Sequence, residues 1–158
     1  MANKAMPGWL RRAFAVPNLL YRCGLGSLLG HRFVQLTHVG RRSGRSHTTV
    51  LEVVRYDHAT GETFVVAAFG KHSDWLLNIT SGSGVRVSFG KTPRAASYRV
   101  VPTDEAAEVF AGYERRNRLL MPVARPLLGR FSGFEYHSTD ADRRRLFETL
   151  PMLAFLPA

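Results

Sequence analysis

Residues 36–54 read Leu-Thr-His-Val-Gly-Arg-Arg-Ser-Gly-Arg-Ser-His-Thr-Thr-Val-Leu-Glu-Val-Val, and this stretch decides the fold class. Two apolar runs typical of β-strands flank a loop with two glycines, three arginines and two serines. Gly40 and Gly44 allow a tight turn and a close approach of the backbone to a ligand. Serine hydroxyls and planar guanidinium groups are donors suited to phosphate or carboxylate. We therefore interpret residues 40–46 as an anion-binding loop and call them the anion loop.

Two familiar phosphate-binding loops do not fit this sequence. A P-loop needs Gly-Lys-Ser/Thr at the start of a helix, and the anion loop has no such triplet. The dinucleotide-binding fingerprint also leads into a helix, whereas the residues after Ser46 are β-branched and strand-like. A plain hairpin with solvated arginines remains an alternative, because basic loops are common on protein surfaces.

Two ordered motifs give the chain a family resemblance. Residues 40–44 (Gly-Arg-Arg-Ser-Gly) and 47–51 (His-Thr-Thr-Val-Leu) resemble the Gly-Arg-Lys-Ser-Gly…Thr-Thr-Pro-Leu signature of the deazaflavin (F420)-dependent nitroreductases and oxidoreductases. Residues 64–70 and then 73–79 (Ser-Asp-Trp-Leu-Leu-Asn-Ile) resemble the strand, glycine-containing loop and Trp-x-x-Asn-Leu helix of that family. The resemblance covers residues 33–101.

The chain departs from the family pattern at two places. Val50 stands where the family often has proline, a change that should hardly affect the fold. Residues 70–73 (Gly-Lys-His-Ser) replace a Gly-Gly…His-Pro loop, at the place where substrate and coenzyme ring would meet. The second departure leaves the substrate open.

The resemblance implies coenzyme F420 (8-hydroxy-5-deazaflavin) as the cofactor and assigns residues to its parts. The coenzyme carries a phosphate and an acidic oligoglutamate tail, and its ring system transfers hydride. The residues implied to bind the phosphate and tail are Arg41, Arg42, Ser43 and Gly44. Those implied to contact the ring system are His47, Thr48, Thr49, Val50 and Leu51 on one side, and Ala67, Ala68 and Phe69 on the opposing wall. Trp75 and Asn78, three residues apart on one helical face, complete the cofactor-binding set.

Three residues are candidates for a catalytic role. Lys71 and His72 precede the short helix and can donate to a carbonyl or nitro oxygen of the acceptor. Tyr113, on a later helix, can serve as a proton donor. The alternatives are a solvated loop for the first two and a packing role for Tyr113. Asp74 is interpreted as a helix N-cap, a position that Ser73 could also fill, rather than as an acid catalyst.

Composition limits the class of protein. The 158 residues suffice for one domain, with 45% hydrophobic and 22% charged residues. One cysteine excludes an internal disulfide, and the histidines have no metal-ligand spacing, so no metal site is expected. No apolar run is long enough to span a bilayer, and arginines interrupt the N-terminal apolar stretches, so we expect a cytoplasmic protein.

The charge is concentrated near the N-terminus. The net charge is +10, and residues 1–55 hold nine basic residues but one acidic residue, Glu52. This asymmetry predicts an anionic partner, such as a polyanionic cofactor or a phospholipid surface. Residues 1–31 mix large apolar groups with arginines, so we expect an amphipathic helical segment. We expect this segment to lie either on the inner face of the cell membrane or against the remaining domain, residues 32–158.

The predicted fold is α+β, a small and mostly antiparallel split β-barrel with flanking helices. Predicted strands cover 33–39, 48–56, 63–69, 85–89 and 94–101, with 152–156 as an edge strand. Predicted helices cover 74–80, 103–118 with Thr103 as N-cap, and 140–150 opened by residues 139–142. The split barrel is the fold implied by the resemblance, and the hairpin-rich order of elements agrees with it.

The leading functional hypothesis is a reductase that transfers hydride from reduced F420 to an activated alkene, a quinone or a nitro compound. The acceptor would be a small hydrophobic molecule. The first alternative is a membrane-associated binder of F420 or of a fatty acyl ligand with little catalysis. An ordinary flavin (FMN) enzyme is a further alternative. Nucleic-acid binding is not expected, because the aromatic residues are not interleaved with the basic cluster. The sequence does not indicate the oligomeric state.

Overall fold

A computed structural model describes residues 30–90 and 92–158 of the protein. The six strands are β1 Phe33–Val39, β2 Ser46–Tyr56, β3 Thr63–Val66, β4 Val85–Ser88, β5 Arg94–Val100 and β6 Met152–Pro157. The helices are a 3₁₀ turn Gly70–His72, then α1 Asp74–Thr80, α2 Thr103–Arg116, α3 Met121–Ser132 and α4 Asp140–Thr149. The expected N-terminal helical segment lies outside the described residues. Within them, no helix has both the length and the apolar character needed to cross a membrane.

The strands form a closed antiparallel barrel in the order β1-β2-β3-β6-β5-β4. Along β1, Val34 and Leu36 are buried and alternate with less buried residues, as a strand with one inward face requires. Interior side chains such as Leu36, Val65 and Phe155 fill the barrel. The predicted small antiparallel barrel with flanking helices is confirmed.

The sequence predicted β6 as an edge strand, but in the structure it lies between β3 and β5. It pairs with β3 through Phe64 opposite Ala154, and with β5 through Tyr98 opposite Phe155, and so closes the barrel. Its residues from Met152 to Phe155 are buried without alternation. An uninterrupted apolar run is typical of a strand covered on both faces, so the edge assignment was wrong.

A second core lies between the barrel's outer face and the helices. Phe110 of α2, Leu146 and Phe147 of α4, and Met152 and Ala154 of β6 meet there. Helix α4 begins as predicted, because Thr139 caps it and exchanges hydrogen bonds with Asp142 in a capping box. The outer core fixes the helical layer on one side of the barrel.

Three local predictions were wrong. Helix α2 has Pro102 as its N-cap, and Thr103 is its first residue. Strand β3 ends at Val66, so residues 67–69 form a turn into the 3₁₀ segment instead of a strand end. Helix α3 was not predicted, and it contains two residues that disfavour a helix interior, Pro122 and Pro126. Pro122 is tolerated in the first turn, where the amide has no helical partner.

Candidate functional site

An open cleft of about 410 Å³ lies where the anion loop, the adjoining ends of β1 and β2, and helix α1 meet. Its volume falls in the range of small-molecule sites. The lining residues are His38, Gly40, Arg41, Arg42, Ser43, His47, Thr49, Phe69, Ser73, Asp74, Trp75 and Asn78. The two sequence motifs, which residues 52–63 separate, thus contribute to one cleft.

The anion loop is a tight turn that requires glycine at two positions. Gly44 donates its amide to the Gly40 carbonyl at 2.8 Å and adopts a φ of 64°, which favours glycine. A Cβ on Gly40 would come within 2.5 Å of Ser43 Oγ and 2.8 Å of His47 Nε2. The backbone at Gly40 is therefore packed closely against the two side chains that face the cleft.

Arg41 fastens the anion loop to helix α1. Its backbone amide donates to Asn78 Oδ1 at 3.1 Å, and its Nη1 donates to the same oxygen at 2.9 Å. The guanidinium also pairs with Asp74 Oδ1 at 3.3 Å. The Asp74 side chain is 88% exposed, so this pair adds little stability. Much of the hydrogen-bonding capacity of Arg41 is used within the protein, and its first role is to position the loop.

Asn78 is the buried centre of the polar contacts beneath the cleft. Its Oδ1 accepts both bonds from Arg41, and its Nδ2 donates to His38 Nδ1 at 3.1 Å. Its backbone carbonyl accepts the hydroxyls of Ser81 at 2.6 Å and Ser83 at 2.7 Å. One side chain therefore links β1, the anion loop and α1.

His38 is a site residue that the sequence analysis did not select. It is buried, and its ring stacks on that of His47 with the centroids 5.9 Å apart. Burial first, and then the neighbouring His47, hold the pKa of His38 below its ordinary value of 6.5. Because His38 Nδ1 accepts from Asn78, the neutral ring carries its proton on Nε2. The available signal was a polar residue at the end of the buried alternation Val34, Leu36, His38.

The residues expected to contact the coenzyme ring divide between two faces of β2. His47 and Thr49 line the cleft, and Leu51 follows on the same face and packs against the interior core. Thr48 and Val50 carry their side chains to the opposite face, because successive side chains of a strand alternate. Of these five residues, only His47 and Thr49 therefore have side chains that line the cleft.

Of the opposing wall, only Phe69 lines the cleft. Its ring is half-exposed and meets Phe131 of α3 edge-to-face at 5.8 Å. Ala67 is fully buried in the barrel interior, and Ala68 is not among the lining residues. Trp75 and Asn78 both lie in the cleft wall, as their shared helical face suggested.

The three proposed catalytic residues are not brought together. Lys71 and His72 lie in the 3₁₀ turn, between the lining residues Phe69 and Ser73, but do not themselves line the cleft. Tyr113 lies against the outer face of the barrel and donates to Glu52 Oε1 at 2.8 Å. Burial and the Glu52 carboxylate raise the pKa of Tyr113. The structure does not place this phenol at the cleft.

The charges that remain at the cleft are positive. Arg42 and Arg45 are exposed in the anion loop, and the part of the chain that the structure describes holds no ion-pair partner for either of them. Among those residues there is also no group of three histidine, cysteine, aspartate or glutamate side chains able to hold a metal ion. The donor set suits an organic anion.

Comparison with known proteins identifies the family. Residues 21–118, more than half of the chain, match the family described as F420H(2)-dependent quinone reductase. The chain belongs to the F420H(2)-dependent quinone reductase family. It is therefore a deazaflavin-dependent oxidoreductase, with coenzyme F420 as its cofactor.

Solved structures with related shapes have low sequence identity. An F420-H2 dependent reductase (FDR-A) is 22% identical with a TM-score of 0.45, over 78% of this chain and 93% of the other. A Clostridium acetobutylicum protein related to general stress protein 26 of B. subtilis is 8% identical with a TM-score of 0.49, over 88% and 84%. No curated protein sequence matches the chain significantly.

The cleft of this F420H(2)-dependent quinone reductase family member fits the coenzyme by its donor chemistry. Arg42 and Ser43 offer guanidinium and hydroxyl donors to the phosphate and the acidic tail. The Ser43 and His47 side chains lie close against the backbone at Gly40, where a Cβ would displace them. Phe69 and Trp75 supply aromatic surface for a flat ring system.

Proposed function

We propose that this protein transfers hydride from reduced F420 to a quinone or a related flat, conjugated carbonyl compound. Activated alkenes and nitroaromatic compounds are acceptors of the same electronic kind. One observation carries the proposal: cationic donors and the half-exposed ring of Phe69, with the largely buried Trp75 beside it, line the same open cleft. The description of the family, which names quinones, supports the choice of acceptor.

The anion loop performs the binding part of this function. Arg42 is exposed at the cleft and provides the main charge for the coenzyme's phosphate and tail, assisted by Ser43. Arg41 contributes less directly, since Asn78 and Asp74 already engage it. Its fixed position keeps the loop in one conformation before the ligand arrives, which lowers the entropic cost of binding.

The aromatic residues perform the orienting part. Bound F420 supplies a hydride from its deazaflavin ring. Phe69 and Trp75 give a flat acceptor apolar contact on the same side of the barrel as the anion loop. Such contact holds the acceptor over the coenzyme and displaces water from between them, which favours direct transfer. Phe131, in contact with Phe69, extends this apolar surface along α3.

Negative charge that develops on the acceptor oxygen needs a donor. Lys71 and His72 are the proposed donors, because their turn connects two residues of the cleft wall and both are exposed. Tyr113 is a poor candidate, since its proton is engaged by Glu52 and its pKa is raised. His47 lies in the cleft itself and is close to Ser43 Oγ at 3.3 Å, so it is an additional donor available to a bound ligand.

Stereospecifically deuterated reduced F420 tests the proposal. The enzyme should oxidise it in the presence of water-soluble quinones, enones or nitroaromatics, and the label should appear on the acceptor carbon of an enone. Loss of label to solvent, or no oxidation with the whole panel, would contradict direct hydride transfer. Tight coenzyme binding without turnover would favour the alternative of a membrane-associated F420 binder, and a fatty acid competing with F420 would favour an acyl ligand.

A further inference from the structure

The region from the α2–α3 turn through α3 has an unusual charge distribution. Residues 115–134 contain no aspartate or glutamate but five arginines, namely Arg115, Arg116, Arg118, Arg125 and Arg130. This stretch lies far from the basic N-terminal third in sequence. Most of it also lies beyond the family match, which ends at residue 118.

The same region exposes large apolar side chains. Leu119 is 86% exposed, Val123 57% and Leu120 50%. Leu119 and Leu120 lie in the turn, and Val123 follows in the first turn of α3, so the three exposed side chains fall within five residues of chain. Met121 is the one residue of α3 that is buried. We call Leu119, Leu120 and Val123 the apolar tip.

Few of the arginines around the apolar tip are neutralised. Arg116 donates to the Val54 carbonyl and Arg125 to the Ser138 hydroxyl, so both keep their full charge. Arg115, Arg118 and Arg130 are exposed. Of the neighbouring acids, Glu114 is buried against Arg143, and Glu135, which is exposed, lies beside His137 and beyond the C-terminal end of α3. The described surface around the tip is therefore apolar and cationic together.

We infer that the apolar tip and the arginines of residues 115–130 dock on an anionic phospholipid bilayer. Exposed leucine and valine gain from entering the boundary between headgroups and acyl chains, and arginines beside them gain from anionic lipids. A second copy of the chain is a poor occupant of this surface, because it would bring five like charges against five. A bilayer satisfies both the apolar and the cationic character at once.

Docking has a consequence for access to the cleft. Phe131, in the last turn of α3, contacts Phe69 on the cleft wall. Helix α3 therefore runs from the docked apolar tip at its N-terminal end to the cleft's aromatic side at its C-terminal end, so a lipid-soluble acceptor could pass from the bilayer to the cleft along this helix. This consequence rests on the proposed function, whereas the docking itself does not.

Co-sedimentation of the full chain with vesicles of equal parts phosphatidylcholine and phosphatidylglycerol tests the inference. A variant with Leu119→Ser and Val123→Ser should partition about tenfold more weakly, because it loses exposed apolar groups alone. A variant with Arg118→Gln and Arg130→Gln should lose about ten- to thirtyfold, at about fivefold for each arginine near an anionic surface. Its defect should shrink at high salt, where wild-type binding also weakens.

Val100→Ser is the matched control, because Val100 is 60% exposed on β5, outside the α2–α3 region. It should bind vesicles like the wild type. Reduction of a water-soluble quinone, measured with all variants, separates this test from that of the proposed function: it should stay unchanged in each. Wild-type partitioning in both double variants would overturn the inference, as would an equal loss in Val100→Ser. Self-association abolished by the same substitutions would assign the surface to a second copy instead.

Discussion

Two buried polar clusters lie on different sides of the barrel wall, and they differ in whether they border an open cleft. Under the helices, Glu114 accepts from Tyr136 Oη at 2.8 Å and from Arg143 Nη1 at 2.8 Å. Under the cleft, Asn78 joins Arg41 to His38. The first cluster places both carboxylate oxygens against donors, while the second borders an open cleft that exposed arginines surround.

The comparison distinguishes polar residues that stabilise the fold from those that prepare a site. The Glu114 and Arg143 side chains are 8% and 16% exposed, so their charges balance each other out of reach of a ligand. Asn78 is neutral, and it holds in place a loop whose remaining donors point to solvent. We therefore expect substitutions in the first cluster to act on stability and those in the second to act on coenzyme binding as well.

The largest expected effect is on stability, in the helix-side cluster. Glu114→Ala should lower the free energy of unfolding by about 3–5 kcal/mol, because it removes the buried carboxylate and leaves Arg143 only the more distant, exposed Asp140 as an ion-pair partner. Urea denaturation measures the loss. The control is Glu105→Gln, in the exposed pair with Arg99, where about 1 kcal/mol or less is expected. Equal losses of unfolding free energy at both positions would show that the buried cluster stabilises the fold no more than a surface ion pair does.

Asn78→Ala should affect both stability and binding. The change removes the partner of Arg41 and of His38, at a cost of about 1–3 kcal/mol in unfolding free energy for buried groups left unsatisfied. F420 affinity should fall with it, since the anion loop loses its attachment to α1. In Glu114→Ala, the protein that remains folded should bind F420 normally. A normal F420 affinity in Asn78→Ala would show that the cleft does not depend on this contact.

Gly40→Ala tests whether F420 binding depends on the packing inside the anion loop. The new Cβ would meet Ser43 Oγ and His47 Nε2 well inside van der Waals distance, so both side chains must move. Both are ends of exposed side chains that can move, so we expect little loss of stability, with a loss of about 1 kcal/mol in F420 affinity because Ser43 and His47 leave their positions in the cleft. Gly84→Ala is the matched control, because a Cβ there meets nothing within 4 Å. An unaffected affinity in Gly40→Ala would mean that the loop adapts freely.

The smallest expected effect is on pH dependence. The pKa of His38 is lowered on folding, so between its folded value and 6.5 the unfolded chain binds a proton that the folded chain does not. Wild-type stability should therefore fall as the pH drops below 6.5, and His38→Gln should reduce that dependence. His58→Gln, at an exposed position, is the control. Identical pH profiles for wild type and His38→Gln would show that burial does not perturb this histidine.

Features that depend on residues close together in the sequence were predicted from the residue types alone. The glycines and β-branched runs around residues 40–46 predicted a turn between two strands, and Thr139 with Asp142 predicted the start of α4. Contacts between distant residues were not predictable in this way. Arg41 and Asn78 are 37 positions apart, and the place of β6 depends on pairing with β3 and β5.

The candidate site was predicted as a region more accurately than as a set of side chains. The two motifs do meet in one cleft, but strand alternation removes the side chains of Thr48 and Val50 from it. Tyr113 could not be placed from its helix alone, because its face depends on how α2 packs against β2. His38 was missed, since one sequence does not distinguish a buried polar contact from an ordinary strand residue.

The central claim is that the anion loop binds the anionic part of coenzyme F420, and a fluorescence titration with purified F420 tests it most directly. The wild type should bind F420 tightly and FMN much more weakly, with affinity that falls as salt is added. The double variant Arg41→Ala with Arg42→Ala should bind F420 about 2–5 kcal/mol more weakly, because the lost Arg42 contact costs about 1.5–3 kcal/mol and the loop also loses its attachment through Arg41 to Asn78. Equal F420 affinity in wild type and double variant would contradict the account.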